Sequence, residues 1–460
     1  MRLFRLAAVR GGLLLMTLAV PAWFGTALAA TTYYIDQDHP SASDSNPGSA
    51  ERPWKTMYRL NSQPLEPGDT VLVRPGRYRI ADGGDWRRAA IRPAASGTAQ
   101  APITIRSSPR HGAHLVGNGS ESALIGSYTR DHIVIDGFVI SNPGPKGIAV
   151  FGTVNRRVQG VVVKNNIIHG AYVAGGDNAE GVRLEHASNS IVRDNKIFDI
   201  GNGQSTSNAS AVKLYWSDHI LIENNEMYDV VAGIKDKSNG EYIDVRRNLV
   251  HNCGIGIEVM NRIEGTTQSY RIYENIFACG TGVEGRTGGS ALTRDVFIYN
   301  NVFAGYRAKA VMGTEHGRNR RIWNNIFYRT GEVSQQGDFF THADPPSEIE
   351  LMDYNLYARE PKFIVGLYSS NRTFNSLNAW QRQGFDRNSS VSTPRFVDPD
   401  QGNFRLAPDS PARNAGRVDG RADGAVVDIG AYPRNEGQVI GVTWERSSPA
   451  PDAPTGLTAD

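Results

Sequence analysis

Between residues 161 and 327 the chain repeats one pattern of apolar and polar positions seven times. Each repeat has a short apolar stretch, then an asparagine, then two or three further apolar or aromatic residues, as in VVVKNNIIHG and RIWNNIFYRT. The repeated asparagines lie 23 to 30 residues apart and are Asn166, Asn195, Asn225, Asn248, Asn275, Asn301 and Asn325. A period of this length, built from short strands and turn residues, is typical of a solenoid. No repeat contains the amphipathic stretch of about ten residues that a helical solenoid needs, so the pattern predicts an all-β protein, a single-stranded parallel β-helix.

A second, shorter strand follows each asparagine and begins at a glycine or an alanine, as in GVRLE and AVKLY. The small residue permits a bend of the backbone between two sheets. Alternation along this strand places one set of side chains inside the solenoid, namely Ile148, Val182, Val212, Ile234, Ile257, Val283 and Val311. Equivalent residues of successive coils stack about 4.8 Å apart. We therefore expect the asparagines to form a ladder, in which each amide bonds to the next coil and serves the scaffold.

The first 29 residues have the features of a secretory signal peptide. Arginines precede an apolar run from Gly11 to Val20, and Ala27-Leu28-Ala29 is an A-x-A cleavage site. The run is too short for a membrane span, and no later stretch qualifies. We expect cleavage near Ala29 and a secreted or periplasmic protein. The predicted division is a signal peptide (1–29), a β-helix domain (30–435) and a partly disordered C-terminal extension (436–460).

Charge and cysteine content narrow the choice of partners. The 49 Lys and Arg residues nearly balance the 47 Asp and Glu residues, which leaves a net charge of +2 and argues against a nucleic-acid partner. Cys253 and Cys279 occupy equivalent positions in adjacent coils, within reach of a disulfide. An oxidising compartment would allow the bond to form, and a buried pair of free thiols is the alternative. We expect a monomer without a membrane span.

Two columns of outward-facing residues on the second strand carry charge over the same five coils. The first column is Ala149, Arg183, Lys213, Lys235, Glu258, Glu284 and Met312, and the second is Phe151, Glu185, Tyr215, Lys237, Met260, Arg286 and Thr314. Apolar side chains fill the interior of a β-helix, so function has to lie on such a column or in the loops. Stacked like charges destabilise a sheet, and a surface that served solubility alone would avoid them. We take this patch as the candidate site; the alternative is a solvated face with ion pairs such as Lys235 with Glu258.

Three chemistries fit the patch. Cleavage by β-elimination needs a base for the proton next to a uronate carboxylate and a cation for the charge that develops there. Stacked cations lower the pKa of a lysine, which suits the role of base. Hydrolysis needs two carboxylates, and Glu258 and Glu284 lie one coil apart, near the separation of a retaining pair. The same two glutamates would suit Ca²⁺ as a cofactor. A non-catalytic polysaccharide binder would instead stack sugars on Tyr172, Tyr215 and Trp216.

Segments near both ends of the mature chain resemble a known family. The pattern D-S-N-P-G-S…P-W-K-T…P-G-D-T-V-L-V-R-P-G-R-Y, at residues 44–78, is similar to the N-terminal coils of secreted right-handed parallel β-helix proteins of the pectin lyase-like superfamily. That superfamily includes the family 6 polysaccharide lyases, such as chondroitinase B and alginate lyases. The segments G-N-F-R-L, S-P-A and D-I-G-A-Y, at residues 402–432, resemble the closing segment of the same proteins. The resemblance implies a right-handed parallel β-helix that acts on an acidic polysaccharide.

The resemblance also implies site residues. Lys235-Asp236-Lys237-Ser238, with the stretch from Asn239 to Asn248, is similar to the K-S…N…R-N-N segment of the family 6 lyases, in which a strand-borne lysine and an arginine of the following coils act in the elimination. Lys237 is then the base, Lys235 lies beside it, and Arg286 is the nearest arginine in its column. The family's paired glutamates lie upstream of the lysine, whereas Glu258 and Glu284 lie downstream.

The sequence therefore predicts a polysaccharide lyase that cleaves an acidic polysaccharide, with a glycoside hydrolase and a non-catalytic binder as the alternatives. The expected substrate-binding residues flank the catalytic set and are Arg183, Glu185, Lys213 and Tyr215.

Overall fold

The protein is described by a computed structural model. It covers residues 30–81, 89–119, 123–173, 178–201, 208–261, 266–287, 292–313, 317–329, 337–342, 346–366, 371–418, 426–432 and 440–442. The predicted signal peptide lies outside these ranges, and so does most of the predicted C-terminal extension. Within them the chain is almost entirely β-structure. Each coil contributes one strand to a first sheet and one or two strands to a second, and nearly all pairings between coils are parallel.

The first sheet contains fourteen strands in chain order. They are Thr32–Ile35, Thr70–Val73, Ile103–Ser107, Ile133–Asp136, Val158–Gln159, Val162–Lys164, Ala187–Arg193, Asp218–Glu223, Glu241–Arg246, Thr266–Tyr273, Leu292–Tyr299, Gly317–Arg318, Arg320–Trp323 and Ile349–Asp353. Apolar residues alternate along these strands, as a sheet with one face in the core requires.

The second sheet contains twenty strands and bends along its length into a leading and a trailing half. The leading half contains Gly76–Arg79, Ala113–Val116, Val139–Ser141, Ile167–Ala171, Lys196–Ile200, Val302–Ala304, Ile326–Tyr328, Leu356–Tyr357 and Ser390–Val391. The trailing half contains Ile125–Tyr128, Lys146–Phe151, Glu180–Glu185, Ser210–Tyr215, Lys309–Met312, Phe339–Thr341, Phe363–Val365 and Arg372–Phe374. Three long strands run through both halves, and these are Glu226–Asp236, Leu249–Asn261 and Ile276–Thr287.

The repeated asparagines lie at the corner before the second sheet and form the predicted ladder. All seven are fully buried, and Asn355 extends the stack by one coil. In a typical step, the backbone N–H and the side-chain amide of Asn195 both donate to Oδ1 of Asn225, each at 3.0 Å. The amide of Asn225 also donates to the carbonyl oxygens of Val192 and Glu223. Each side chain thus satisfies backbone groups of two coils, which confirms the scaffold interpretation.

The core runs the length of the solenoid, and short helices lie at its two ends. The seven residues predicted to point inward are all fully buried. At the N-terminal end Trp54 and a 3₁₀ helix, Met57–Asn61, pack on the core. At the C-terminal end the α-helix Leu377–Gln381 buries Leu377 and Trp380 on one face. A further 3₁₀ helix is Pro399–Gln401.

The closing segment packs against the outside of the leading half. It forms two small antiparallel sheets, Phe396–Asp398 with Asn403–Leu406 and Gly416–Arg417 with Val426–Val427. Ile440 joins the same apolar cluster, although it lies in the stretch predicted as an extension. The last described residues therefore belong to the packed protein.

The two cysteines form a disulfide between adjacent coils, with their Cα atoms 4.7 Å apart. Cys253 and Cys279 occupy paired positions of the strands Leu249–Asn261 and Ile276–Thr287. The alternative of two free thiols is thereby wrong for this structure.

Candidate functional site

The first outward column lies in register along the trailing half of the second sheet. The paired positions are Ala149 with Arg183, Arg183 with Lys213, Lys213 with Lys235, Lys235 with Glu258, Glu258 with Glu284, and Glu284 with Met312. The second column is also aligned, with Phe151 beside Glu185, Glu185 beside Tyr215, and Met260 beside Arg286. Thr314 of the second column lies outside the described residues. The structure therefore brings the predicted site residues together on one face.

A third column adds three charged residues that the sequence pattern assigned to neither face. Lys146, Glu180 and Lys309 each come directly before the glycine or alanine that opens the trailing strand. A Cβ built on Gly181 would lie 2.4 Å from the core atom Cγ2 of Ile197, so this glycine faces inward, as its neighbour Val182 does. Simple alternation is broken at the bend, and Glu180 returns to the outer face. The signal in the sequence was a charged residue directly before the small residue in three of the seven coils.

We call these eleven charged residues the charged cluster. It contains the cations Lys146, Arg183, Lys213, Lys235, Lys237, Arg286 and Lys309 and the carboxylates Glu180, Glu185, Glu258 and Glu284.

The charged cluster is not the open, solvated face that the alternative interpretation described. Every member of the charged cluster is buried except Arg286, whose side chain is 47% exposed. Lys213 is fully buried because its ammonium donates to the carbonyl oxygen of Asn208 and pairs with Glu180. Long side chains that fold onto their neighbours cover one another, which the outward direction of a Cβ does not reveal. The cluster is consequently a low-dielectric site in which charges interact strongly.

Two ion-pair groups divide the cluster. In the first, the guanidinium of Arg183 lies 2.9 Å from Glu180 Oε1 and 2.6 Å from Glu185 Oε2. Lys213 Nζ lies 3.3 Å from the same oxygen of Glu180. The guanidinium also covers the ring of Tyr215, at 4.3 Å from its centroid. These contacts fix Arg183 in place by charge, hydrogen bonding and a cation–π contact.

The second group contains the stacked glutamates. Lys235 Nζ lies 2.6 Å from Glu258 Oε2, which confirms the ion pair expected from the sequence. Arg286 Nε lies 2.6 Å from Glu284 Oε1 and 3.3 Å from Glu258 Oε1, so one guanidinium joins both carboxylates. Lys309 Nζ lies 3.9 Å from Glu284 Oε2. The repulsion between stacked glutamates is thus offset by three cations.

Burial changes the protonation of several members. The pKa of Lys213 falls to about 8, chiefly because burial disfavours its charge, and Lys235 and Arg183 add repulsion. Burial lowers the pKa values of Lys146 and Lys309 in the same way. Burial also raises the pKa of Tyr215 to about 12. The face therefore contains an amine that loses its proton more readily than an exposed lysine, chiefly because it is buried and only in smaller part because cations are stacked.

Lys237 and Arg286 do not lie in adjacent coils. Asp236 is paired with Val259, so the next residue, Lys237, lies beside Met260, and Met260 is paired with Arg286. Two strand spacings, about 10 Å, separate the two backbone positions. The Arg286 side chain folds toward Glu284. The residues next to Lys237 in register are Tyr215 in the preceding coil and Met260 in the following coil.

The predicted Ca²⁺ ligands fit a metal poorly. Glu258 and Glu284 supply two carboxylates, but Lys235, Arg286 and Lys309 already pair with them. Six to eight oxygen ligands are usual for Ca²⁺. Across the described residues, no group of three or more His, Cys, Asp or Glu is arranged to hold a metal ion.

The aromatic residues proposed to stack on sugars are largely engaged by protein groups. Arg183 covers Tyr215, and the ring of Trp216 stacks on His186 with 5.1 Å between centroids. The histidine His169 likewise stacks on Phe198. These contacts favour structural roles for the rings.

Comparison with known proteins identifies the fold. Residues 103–303 match a family model described as "Right handed beta helix region". Together with the long parallel sheets of the structure, this match identifies the fold as a right-handed parallel β-helix. This confirms the fold that the terminal segments implied.

The chain is also similar to solved structures, at low sequence identity. Pectate lyase Pel9A is 15% identical with a TM-score of 0.51, over 89% of this chain and 98% of that one. A GH136 lacto-N-biosidase from Eubacterium ramulus is 16% identical with a TM-score of 0.47, over 74% of this chain and 68% of that one. A mannuronic acid specific family 6 lyase from human gut microbiota is 15% identical with a TM-score of 0.44, over 79% and 92%. No curated protein matches the sequence.

In the parts of the chain that the structure describes, no helix has the length and apolar character needed to cross a membrane.

Proposed function

We propose that the protein acts on an acidic polysaccharide outside the cytoplasm and cleaves it as a lyase, by β-elimination. The observation that carries this proposal is the charged cluster itself. Its seven cations and four carboxylates leave an excess of three positive charges on a single face of the solenoid. A face with excess positive charge attracts a polyanion, and the low dielectric of a buried cluster strengthens that attraction.

The spacing of the coils supports a polymeric substrate. Charged residues of the first column extend over five successive coils, from Arg183 to Glu284. Four strand spacings correspond to about 19 Å. A chain molecule that lies along the solenoid axis would pass a charged position at every coil, and Arg286 is the member of the charged cluster that is exposed to it.

We assign the role of base to Lys237. Lys237 directly follows the strand Glu226–Asp236, in register with Tyr215 and Met260, and it is the position that resembles the strand-borne lysine of the family 6 lyases. Its neutral amine would take the proton from the carbon next to the uronate carboxylate. The electron pair then forms a carbon–carbon double bond as the glycosidic C–O bond breaks, and the leaving oxygen takes up a proton. Arg286, the exposed cation, would pair with the substrate carboxylate and hold its developing charge.

Hydrolysis by Glu258 and Glu284 is the second candidate. Their paired positions in adjacent coils favour it. One of the two would have to carry a proton, however, and both carboxylates are paired with cations. Because neither carboxylate is placed to hold a proton, we rank hydrolysis second.

Incubation with a panel of alginate, pectate, chondroitin and bacterial exopolysaccharides tests the proposal. Elimination gives an unsaturated sugar that absorbs in the ultraviolet, so we expect absorbance and new reducing ends together on at least one acidic polymer. Reducing ends without absorbance would transfer the assignment to the glutamates, and Glu258→Gln should then remove the activity. Binding without either product would make the protein a polysaccharide binder and overturn the lyase assignment.

A further inference from the structure

One position in the core of the trailing half holds a carboxylate where the pattern calls for an aliphatic residue. Asp236 is paired with Leu214 on one side and Val259 on the other, both fully buried. Its side chain therefore points into the solenoid, beneath the charged cluster, and is itself buried. A buried carboxylate costs stability unless donors surround it, and an apolar residue of similar size would serve packing better.

Three donors hold this carboxylate. The backbone N–H of Ser238 donates to Oδ1, and the N–H of Gly240 donates to Oδ2, each at 3.2 Å. The hydroxyl of Tyr270, a fully buried residue of the first sheet, donates to Oδ2 at 2.5 Å. Burial still raises the pKa of Asp236 to about 7, against the effect of these donors. Asp236 thus ties its own strand end to the opposite sheet.

Lys237 lies within the bend from Asp236 to Gly240, which these hydrogen bonds hold. The residues on either side of Lys237 are Asp236 and Ser238, which are the acceptor and one donor of the network. A Cβ on Gly240 would lie 2.3 Å from both Asp236 Oδ2 and the Tyr270 hydroxyl, so only glycine lets the chain close over the pair. The bend therefore has one tightly defined path. That path sets where the Lys237 side chain leaves the sheet.

We infer that the buried Asp236–Tyr270 pair positions Lys237 for proton transfer, an inference that rests on the proposed lyase function. Asp236 and Tyr270 do not touch substrate, because both face the core. They act through the backbone of the bend. Small displacements of a reacting group reduce turnover far more than binding.

The chain offers a matched control. Tyr306 donates its hydroxyl to Asp338 in the same way, and both residues are buried. This pair lies in later coils than Lys237, near Lys309 at the far end of the charged cluster, and Asp338 keeps a second partner, because Arg329 Nε lies 2.9 Å from its Oδ1. Tyr270→Phe and Tyr306→Phe each remove one hydroxyl from a buried tyrosine–aspartate pair. They should lower the thermal midpoint by similar amounts.

The two variants should differ at Lys237. We expect Tyr270→Phe to lower kcat by about tenfold or more with KM changed less than threefold, and Tyr306→Phe to leave both values near wild type. Equal kcat values for the two variants would overturn the inference.

A second readout does not depend on turnover. Lys237 should react several-fold faster with an amine-acylating reagent in Tyr270→Phe than in wild type, and at the wild-type rate in Tyr306→Phe, as read by mass spectrometry. An unchanged rate in Tyr270→Phe overturns the positioning role, whereas the absence of any polysaccharide product in wild type bears only on the proposed function. If Tyr270→Phe does not fold, the rate of amide hydrogen exchange in the wild-type protein tests the inference instead. Slow exchange at the amides of Ser238 and Gly240 supports the inference, and fast exchange contradicts it.

Discussion

The asparagine ladder and the charged cluster are two stacks of polar side chains along this solenoid. They differ in how their side chains find hydrogen-bond and ion-pair partners. The asparagine ladder repeats one neutral side chain that both donates and accepts, so each coil completes the next by the same bonds. The charged cluster stacks unlike residues whose pairing changes from coil to coil. Lys213 pairs with Glu180 of the preceding coil, whereas Lys235 pairs with Glu258 of the following coil. A uniform stack serves a scaffold, while a varied stack with excess charge is suited to a ligand.

The largest expected effect on stability is in the charged cluster. Lys235→Met leaves the fully buried Glu258 without its closest cation, which should lower the free energy of unfolding by about 3–5 kcal/mol. Lys235→Met combined with Glu258→Leu removes both charges, and the Arg286–Glu284 pair remains. The double variant should therefore lose less than the single one. Urea unfolding of both proteins measures this, and a single variant as stable as wild type would contradict the buried pair.

A single substitution in the asparagine ladder should reduce stability less than Lys235→Met does. No single second substitution should restore the lost stability. Asn225→Ala removes the acceptor of two Asn195 groups and the donor to two carbonyls. Local relaxation should let most of these groups find other partners, so we expect a net loss of about 1–3 kcal/mol in the free energy of unfolding. The exposed Asn371→Ala is the control. Thermal unfolding should separate the two variants, and equal midpoints would contradict the ladder.

The smallest expected effect depends on pH. The folded-state pKa of Lys213 is about 8 and its ordinary value is 10.5, so the unfolded chain binds more protons between these values. The cost of burying the charge is fully present below pH 8 and is relieved as pH rises from 8 to 10.5. Lys213→Met should remove this rise in stability. Exposed Lys55→Met serves as the control, and a Lys213 variant with the wild-type pH dependence would contradict the lowered pKa.

The contrast between the stacks also explains what the sequence could predict. The ladder and the inward residues follow from a strict period, and every one of them is placed as expected. The register of Arg183, Lys213 and Lys235 follows from the same period. Side-chain burial does not, because it depends on how long side chains fold over one another. Glu180 escaped prediction because the glycine after it breaks the alternation.

Asp236 shows a second limit of prediction from the sequence, which concerns contacts between the two sheets. Its inward position could be read from the sequence, but its partner could not. Tyr270 lies 34 residues further along the chain and in the opposite sheet. Contacts between sheets depend on the size and bend of the coils, which a repeat pattern leaves open.

The most direct test is turnover per folded molecule in Lys237→Ala, measured beside Asn225→Ala. It shows whether the charged cluster performs catalysis and the asparagine ladder only stabilises the fold. Product absorbance on the polymer that the panel identifies should fall by about 10²–10⁴-fold in Lys237→Ala. Asn225→Ala and the control Lys196→Ala, a lysine outside the cluster, should retain wild-type turnover. A Lys237→Ala protein with normal turnover would contradict the assignment of the base to this lysine.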